Sequence, residues 1–385
     1  MALRRANRDR LVVEMRRNGN RHRVCAVLYT TDPAASEAQL RSLARGLLGQ
    51  GLRVVIVSSQ RDVTPALQAE LAQAGAELRT LGPRGPAPVA ALLSLRQLTA
   101  ILRRFRPSVL TVCAADTATP LLAVLAARIA GVPLVRAERG GGAARRARLT
   151  SALADAAFDR IIRANGASGN GNGHRLRQKR LELPGGVDLS RFEPERAGGA
   201  QARRLAGIAD GTFVVMAFAP ADDGPALELC RELARQLSLR RRRHCVILAD
   251  VDPGDARPQA RTEGRLALLR WPDGAAACLA AADVFVEAAV WSRGRSRLLE
   301  AMAMRRPVIV AGDDPAHRVV TDGVNGLVVA PGTPATLAEA ARRLAVDAAL
   351  ARELGERARA TVELRYSADL AMERLARLYR DLATA

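Results

Sequence analysis

From residue 23 onward the chain alternates short β-branched, apolar runs with longer stretches whose apolar positions recur every three to four residues. That alternation is the signature of repeated βα units feeding parallel sheets. In the first unit, residues 24–30 read as strand. Leu40, Leu43, Ala44, Leu47 and Leu48 then share one helical stripe, Gly49 and Gly51 stop it, and residues 54–58 return as strand. The same rhythm predicts strands over 77–81, 108–114, 133–137 and 160–164, with helices over 90–104, 119–130 and 146–157. Residues 183–194, which include Pro184, Gly185, Gly186 and Pro194, break the rhythm and read as a linker.

A second series follows, with strands at 213–218, 245–249, 266–269, 284–286 and 307–311 and helices at 226–237, 275–281 and 296–304. The last fifty residues are helical by periodicity and end with Leu370, Leu375, Ala376 and Tyr379 on an apolar face. The prediction is an α/β protein of two doubly wound, Rossmann-like domains facing a cleft. Its parts are a basic tail (1–22), a first domain (23–183), a linker (184–196), a second domain (197–362) and a C-terminal helix (363–385). Ligands of such paired domains sit at the carboxyl ends of the strands, hence in the cleft.

Charge changes this picture. Of 59 basic residues 58 are arginine, the exception being Lys179, and the formal net charge is +20. The excess is segregated: residues 1–190 hold 30 basic against 13 acidic side chains, and the remainder 29 against 26. Such a field predicts an anionic partner for the first half. Nucleic acid is the weaker reading, because no helix-turn-helix, RNA-recognition or zinc motif accompanies the charge and 3% aromatic residues leave no stacking platform. An anionic membrane surface or glycolipid is the sharper one. Residues 95–106 place Leu95, Leu98, Ile101 and Leu102 beside Arg96, Arg103, Arg104 and Arg106. They read as an ordinary amphipathic domain helix, with docking on anionic lipid as the alternative.

The longest uncharged apolar stretch, 121–127, is far shorter than the roughly 20 residues of a bilayer-spanning helix. The arginine-rich start lacks the apolar core of a signal peptide, so the expected location is cytoplasmic, peripheral on the inner face of the membrane. Five scattered cysteines read as buried thiols in a reducing compartment, and four isolated histidines give a zinc site no support.

Several short motifs stand in order in the second half: Ala-Asp-Val-Phe-Val (282–286), Leu-Leu-Glu-Ala-Met-Ala-Met (298–304), Arg-Pro-Val-Ile (306–309), Thr-Asp-Gly-Val-Asn-Gly-Leu-Val-Val (321–329), Pro-Gly-Thr-Pro (331–334) and Arg-Tyr-Ser (365–367). Together with Pro-Gly-Gly-Val-Asp-Leu-Ser-Arg-Phe (184–192), they resemble the family-four glycosyltransferases of GT-B fold. The likeness is strong over the last half and a matter of layout from 23 to 180. It implies a retaining transfer of a sugar from a nucleotide-sugar co-substrate, held by the second domain, to a cell-envelope, lipid-linked or polysaccharide acceptor held by the first. No metal or resident cofactor is implied, and no covalent nucleophile is needed in the family's same-face mechanism.

The resemblance also implies a site. The family carries two glutamates separated by seven residues, the first near the donor sugar and the second on the nucleotide ribose. Glu300 matches the second, with an ordinary helix carboxylate as the bland alternative, while Ser292 stands where the first belongs. Arg293, Arg295 and Arg297 surround Gly294 and Ser296 in the loop between them, where basic side chains and backbone amides suit a diphosphate, with a solvated basic loop as the alternative. Arg139, in a glycine-rich turn, matches the position near the reacting centre. Residues 217–224 lack the arginine and lysine that normally meet the diphosphate, and 32–37 take the place of the family's glycine-rich loop with Pro33, Ala34 and Ala35 instead. These departures motivate a second reading, a catalytically weakened scaffold or partner subunit in glycan assembly.

Overall fold

A computed structural model describes residues 25–30, 33–59, 64–81, 87–113, 118–138, 158–164, 180–183, 186–196, 198–218, 224–238, 244–250, 259–270, 275–287, 297–312 and 318–384. Two compact units emerge: Met1–Arg136 with Ala157–Asp159 and Leu375–Ala385, and Ala137–Ala156 with Arg160–Arg374. The first series of elements runs β1 (Cys25–Thr30), α1 (Pro33–Gly49), β2 (Arg53–Ser59), α2 (Pro65–Gln73), β3 (Glu77–Leu81), α3 (Ala87–Phe105), β4 (Val109–Cys113), α4 (Ala118–Ala130), β5 (Leu134–Glu138), β6 (Arg160–Ala164) and β7 (Arg180–Leu183). Its seven-stranded sheet has the order β3-β2-β1-β4-β5-β6-β7.

Central strands of a parallel sheet are covered on both faces, which is why β4 is fully buried and apolar but for Thr111. The strand order reverses after β1. Because parallel crossovers are right-handed, α1 and α2 cover one face of the sheet and α3 and α4 the other. Tyr379 is buried against this sheet, its hydroxyl sharing a hydrogen bond with Thr111 of β4.

The second series runs α5 (Gly199–Leu205), β8 (Phe213–Phe218), α6 (Gly224–Ser238), β9 (His244–Asp250), β10 (Gln259–Glu263), β11 (Leu266–Arg270), α7 (Ala275–Ala281), β12 (Val284–Glu287), α8 (Leu298–Ala303), β13 (Val308–Ala311), β14 (Leu327–Val329), α9 (Pro334–Val346), α10 (Ala348–Arg365) and α11 (Ala368–Thr384). The sheet order is β10-β11-β9-β8-β12-β13-β14, with β10 antiparallel at the edge. Side chains alternate between two cores, as strand geometry requires. Met216, Phe285, Val308 and Val310 join the cluster containing α7 and α8 residues, whereas Val215, Val284, Val286 and Ile309 join that of α6 and α9.

Two of the sequence motifs turn out to be structural joints. The Asp283 carboxylate accepts the Val214 amide at 2.7 Å and an Arg203 Nη2–H at 2.9 Å, tying the start of β12 to β8 and α5. Asn325, 5% exposed, accepts the Thr321 amide and donates to the Val319 carbonyl and Thr361 hydroxyl, closing the turn before β14.

The structure corrects several expectations. Residues 33–37 are not a loop: α1 already begins at Pro33, whose fixed φ and missing N–H suit a first helical turn. Helix α2, strands β7 and β10 and the short β14 were not foreseen. The helix expected from Ser296 begins at Leu298, Ser296 itself lying outside the described residues, as does the helix expected over 146–157. Among the described residues no helix is long and apolar enough to cross a membrane.

The segment after β7 is pinned within the second unit. Val187 donates its amide to the Tyr366 carbonyl and accepts from Ala368, each at 2.8–2.9 Å. Gly186 lies so close that a Cβ there would run into the backbone of Ala368. Gly186→Ala is therefore expected to lower stability by about 1–3 kcal/mol, read as a fall in the thermal unfolding midpoint. An unchanged midpoint would show that this junction can open at no cost.

Candidate functional site

Ligands of a doubly wound sheet approach the carboxyl ends of strands beside the switch in strand order, which in the second sheet falls between β8 and β12. Phe218 closes β8 there, and its ring centroid lies 6.0 Å from that of Phe285 on β12. The Arg297 guanidinium lies 5.8 Å from the Phe218 centroid, within cation–π range. Arg297 is the residue before α8, and its Nη1 donates to Glu300 Oε2 at 2.8 Å and to Oε1 at 2.9 Å. The Phe218 ring, itself packed on Phe285, thus seats a cation, and the cation orients a carboxylate.

Glu300 has a local reason to be where it is. It occupies the first turn of α8, where a negative charge complements the unsatisfied amides of the helix start. Its side chain nevertheless keeps about a quarter of its surface exposed (24%), and each carboxylate oxygen has lone pairs beyond the one given to Arg297. It can accept further hydrogen bonds from a ligand.

The far end of α8 is clamped. Arg359 of α10, 8% exposed, donates from Nη1 to the Ala303 carbonyl at 2.6 Å and to the Phe192 carbonyl at 2.8 Å, while its Nε donates to Glu363 at 2.6 Å. The C-terminal carbonyl of a six-residue helix is thereby satisfied by a rigid fork. Close by, Gly355 of α10 leaves room for the Arg305 carbonyl, which a Cβ would strike.

Glu287 is a residue the sequence reading missed. It ends β12, is 3% exposed, and by strand alternation lies on the face of Phe285. The available signal was a carboxylate closing the otherwise apolar run Val-Phe-Val. Of the expected site residues, the structure brings Glu300 together with Arg297, Phe218 and Phe285. Ser292, Arg293, Gly294, Arg295, Ser296 and Arg139 lie outside the described residues, as do residues 219–223.

Thiol chemistry is excluded at three positions, because burial pushes Cys113, Cys230 and Cys278 up to about 12 and leaves them un-ionised at neutral pH. A cavity of about 380 Å³ lined by Arg231, Arg235, Glu263 and Arg265 sits elsewhere, beside Leu266 at the amino end of β11. Its arginines are engaged, Arg231 with Glu263 at 3.0 Å and Arg235 with Glu232 at 2.6 Å, so it offers a ligand little unspent charge.

Comparison with known proteins points the same way as the geometry. Residues 34–168 match a family model described as "Glycosyl transferase 4-like domain", and residues 226–347 one described as "Glycosyl transferases group 1". Among solved structures the chain is similar to a glycosyltransferase from Rickettsia africae ESF-5, with a TM-score of 0.70 and 14% identity over 93% of this chain and 98% of that one. It is also similar to HepE of Anabaena in complex with UDP and glucose, with a TM-score of 0.66 and 18% identity over 92% of this chain and 99% of that one. At these identities the likeness is one of fold. Of the curated proteins, an alpha-D-kanosaminyltransferase from Streptomyces kanamyceticus is 33% identical over 85 residues. That alignment spans 22% of this chain and 22% of the relative.

Proposed function

Since the chain belongs with the group 1, family-four-like glycosyltransferases of GT-B fold, we propose that it transfers a sugar, with retention of configuration, from a nucleotide-sugar donor to a cell-envelope, lipid-linked or polysaccharide acceptor. The observation that carries this reading is the Arg297–Glu300 pair at the carboxyl end of the central strands, a partly open carboxylate held by a guanidinium. In the proposal Glu300 accepts hydrogen bonds from the ribose hydroxyls of the donor, and Arg297 keeps it aimed. The leaving diphosphate gains negative charge as the glycosidic bond breaks, and the proposal assigns Arg295 or Arg293 the countercharge. It assigns Arg139 to the reacting centre. HepE, bound to UDP and glucose in its structure, is the fold relative that supports a nucleoside diphosphate as the donor's leaving half.

Titration calorimetry with a panel of nucleotide sugars and free nucleoside diphosphates tests the donor, and NMR of the product's anomeric proton tests retention. Folded protein that binds none of the panel sinks the proposal, and an inverted anomer sinks its stereochemistry. No observation among the described residues favours the scaffold reading.

A further inference from the structure

The two helical layers of the first sheet treat their arginines differently. On the α1–α2 side carboxylates neutralise them: Arg41 and Arg45 both pair with Glu70. At the sheet's edge Glu77 pairs with Arg53 and Arg79, which also stack on the ring of Phe105. On the other side α3 and α4 pack against each other, and neither helix contains an aspartate or glutamate. Arg96, Arg103, Arg104 and Arg128 are exposed there and pair with no carboxylate among the described residues. The nearby Glu77 is already engaged by Arg53 and Arg79.

The same pair of helices carries half of the large apolar side chains left exposed among the described residues, four of eight: Leu92 at 59%, Leu93 at 38%, Leu125 at 52% and Ile129 at 51%. On α3, Leu92, Arg96, Ala100 and Arg103 follow the spacing of a single helical stripe, and on α4 Leu125, Arg128 and Ile129 do the same. Apolar tips interleaved with uncompensated guanidinium groups suit the boundary between headgroups and acyl chains, where leucine can enter the hydrocarbon and arginine can fork onto phosphate.

We infer that the α3–α4 face is a docking surface for a bilayer rich in anionic lipid. A second copy of the chain is the poorer occupant, since a two-fold contact would set this face against itself, arginine opposite arginine with no acidic residue between. The biological sense of the surface rests on the transferase reading, because a lipid-linked acceptor is met only at a membrane. Its test requires no nucleotide sugar.

The full chain is sedimented with phosphatidylcholine vesicles and with vesicles containing phosphatidylglycerol, at low and high salt. The expected result is binding to the anionic vesicles alone, weakened by salt. An arginine near an anionic surface contributes about 1 kcal/mol, roughly fivefold in partitioning, so Arg96→Gln/Arg103→Gln/Arg104→Gln lowers binding by about a hundredfold. Leu92→Ser/Leu125→Ser also lowers it, with circular dichroism unchanged because both side chains are already in water. Equal binding to both vesicle types overturns the inference, as does no binding to either. So does wild-type binding by the α3–α4 variants combined with loss when Arg16 and Arg17 of the basic tail become glutamine. A concentration-dependent dimer abolished by Leu92→Ser assigns the face to a second copy and likewise overturns it. Donor titration on the same preparation separates failure of this surface from failure of the transferase reading.

Discussion

Glu300→Gln is expected to weaken binding of the donor's nucleoside diphosphate by roughly 5- to 150-fold while moving the unfolding midpoint very little. Two roles compete for this carboxylate. As a helix-start charge paired with Arg297, both side chains partly exposed at 31% and 24%, it contributes to stability no more than about 1 kcal/mol. As a ribose acceptor it would make hydrogen bonds whose strength depends on its charge. Bonds to charged groups contribute about 1.5–3 kcal/mol against 0.5–1.5 for neutral ones, so two hydroxyls lose about 1–3 kcal/mol together on amidation. The two readouts therefore separate the roles. A fall in midpoint with unchanged affinity in calorimetry would reduce Glu300 to a helix carboxylate and remove the residue on which the donor site is built.

Arg359→Leu should cost about 2–6 kcal/mol, because two buried carbonyls each lose a charged donor at about 1–3 kcal/mol, while Glu363, half-exposed, is taken up by water. The carbonyls of Phe192 and Ala303 lose their shared donor, and Glu363 loses its partner. For a unit of this size each kcal/mol moves the midpoint by about 2–4 °C, so the fall is roughly 10 °C. Lysine does not rescue the loss in full, because one ammonium can stand in for Nη1 at the two carbonyls but cannot at the same time reach Glu363, which Nε holds. Because the clamp holds the far end of the helix that bears Glu300, donor affinity should fall as well, even at temperatures where the variant is folded. Wild-type melting in Arg359→Lys would show that the fork is dispensable.

Much of the architecture was readable because parallel sheets write themselves as apolar runs: β1, β4, β8 and β12 stand out as Cys-Ala-Val-Leu, Val-Leu-Thr-Val, Phe-Val-Val-Met and Val-Phe-Val. What escaped lacks that signal. The strand β10, Gln-Ala-Arg-Thr-Glu, is a mostly exposed edge held by backbone pairing to β11, so nothing in its side chains announces it. The start of α1 was hidden by an expectation of what should lie there, although Pro33 is itself a helix-start residue. In the site, the motif marks Glu300 as a candidate and the loop before it marks Arg297 as a candidate for the diphosphate, but nothing in the sequence pairs the two. Arg297 and Arg359 are two among 58 arginines, and only the fold distinguishes a seated or buried guanidinium from a solvated one.

The uncompensated arginines of α3 and α4 have a practical consequence at the bench. A guanidinium remains protonated at any pH a protein survives, so raising pH cannot discharge this face as it would a lysine patch. The chain should stay on a cation exchanger in alkaline buffer and leave it only as ionic strength rises. Cell extract offers such a face abundant polyanions before any vesicle is added, so the ratio of absorbance at 260 and 280 nm should be checked, and a high-salt wash applied, before surface or donor binding is measured.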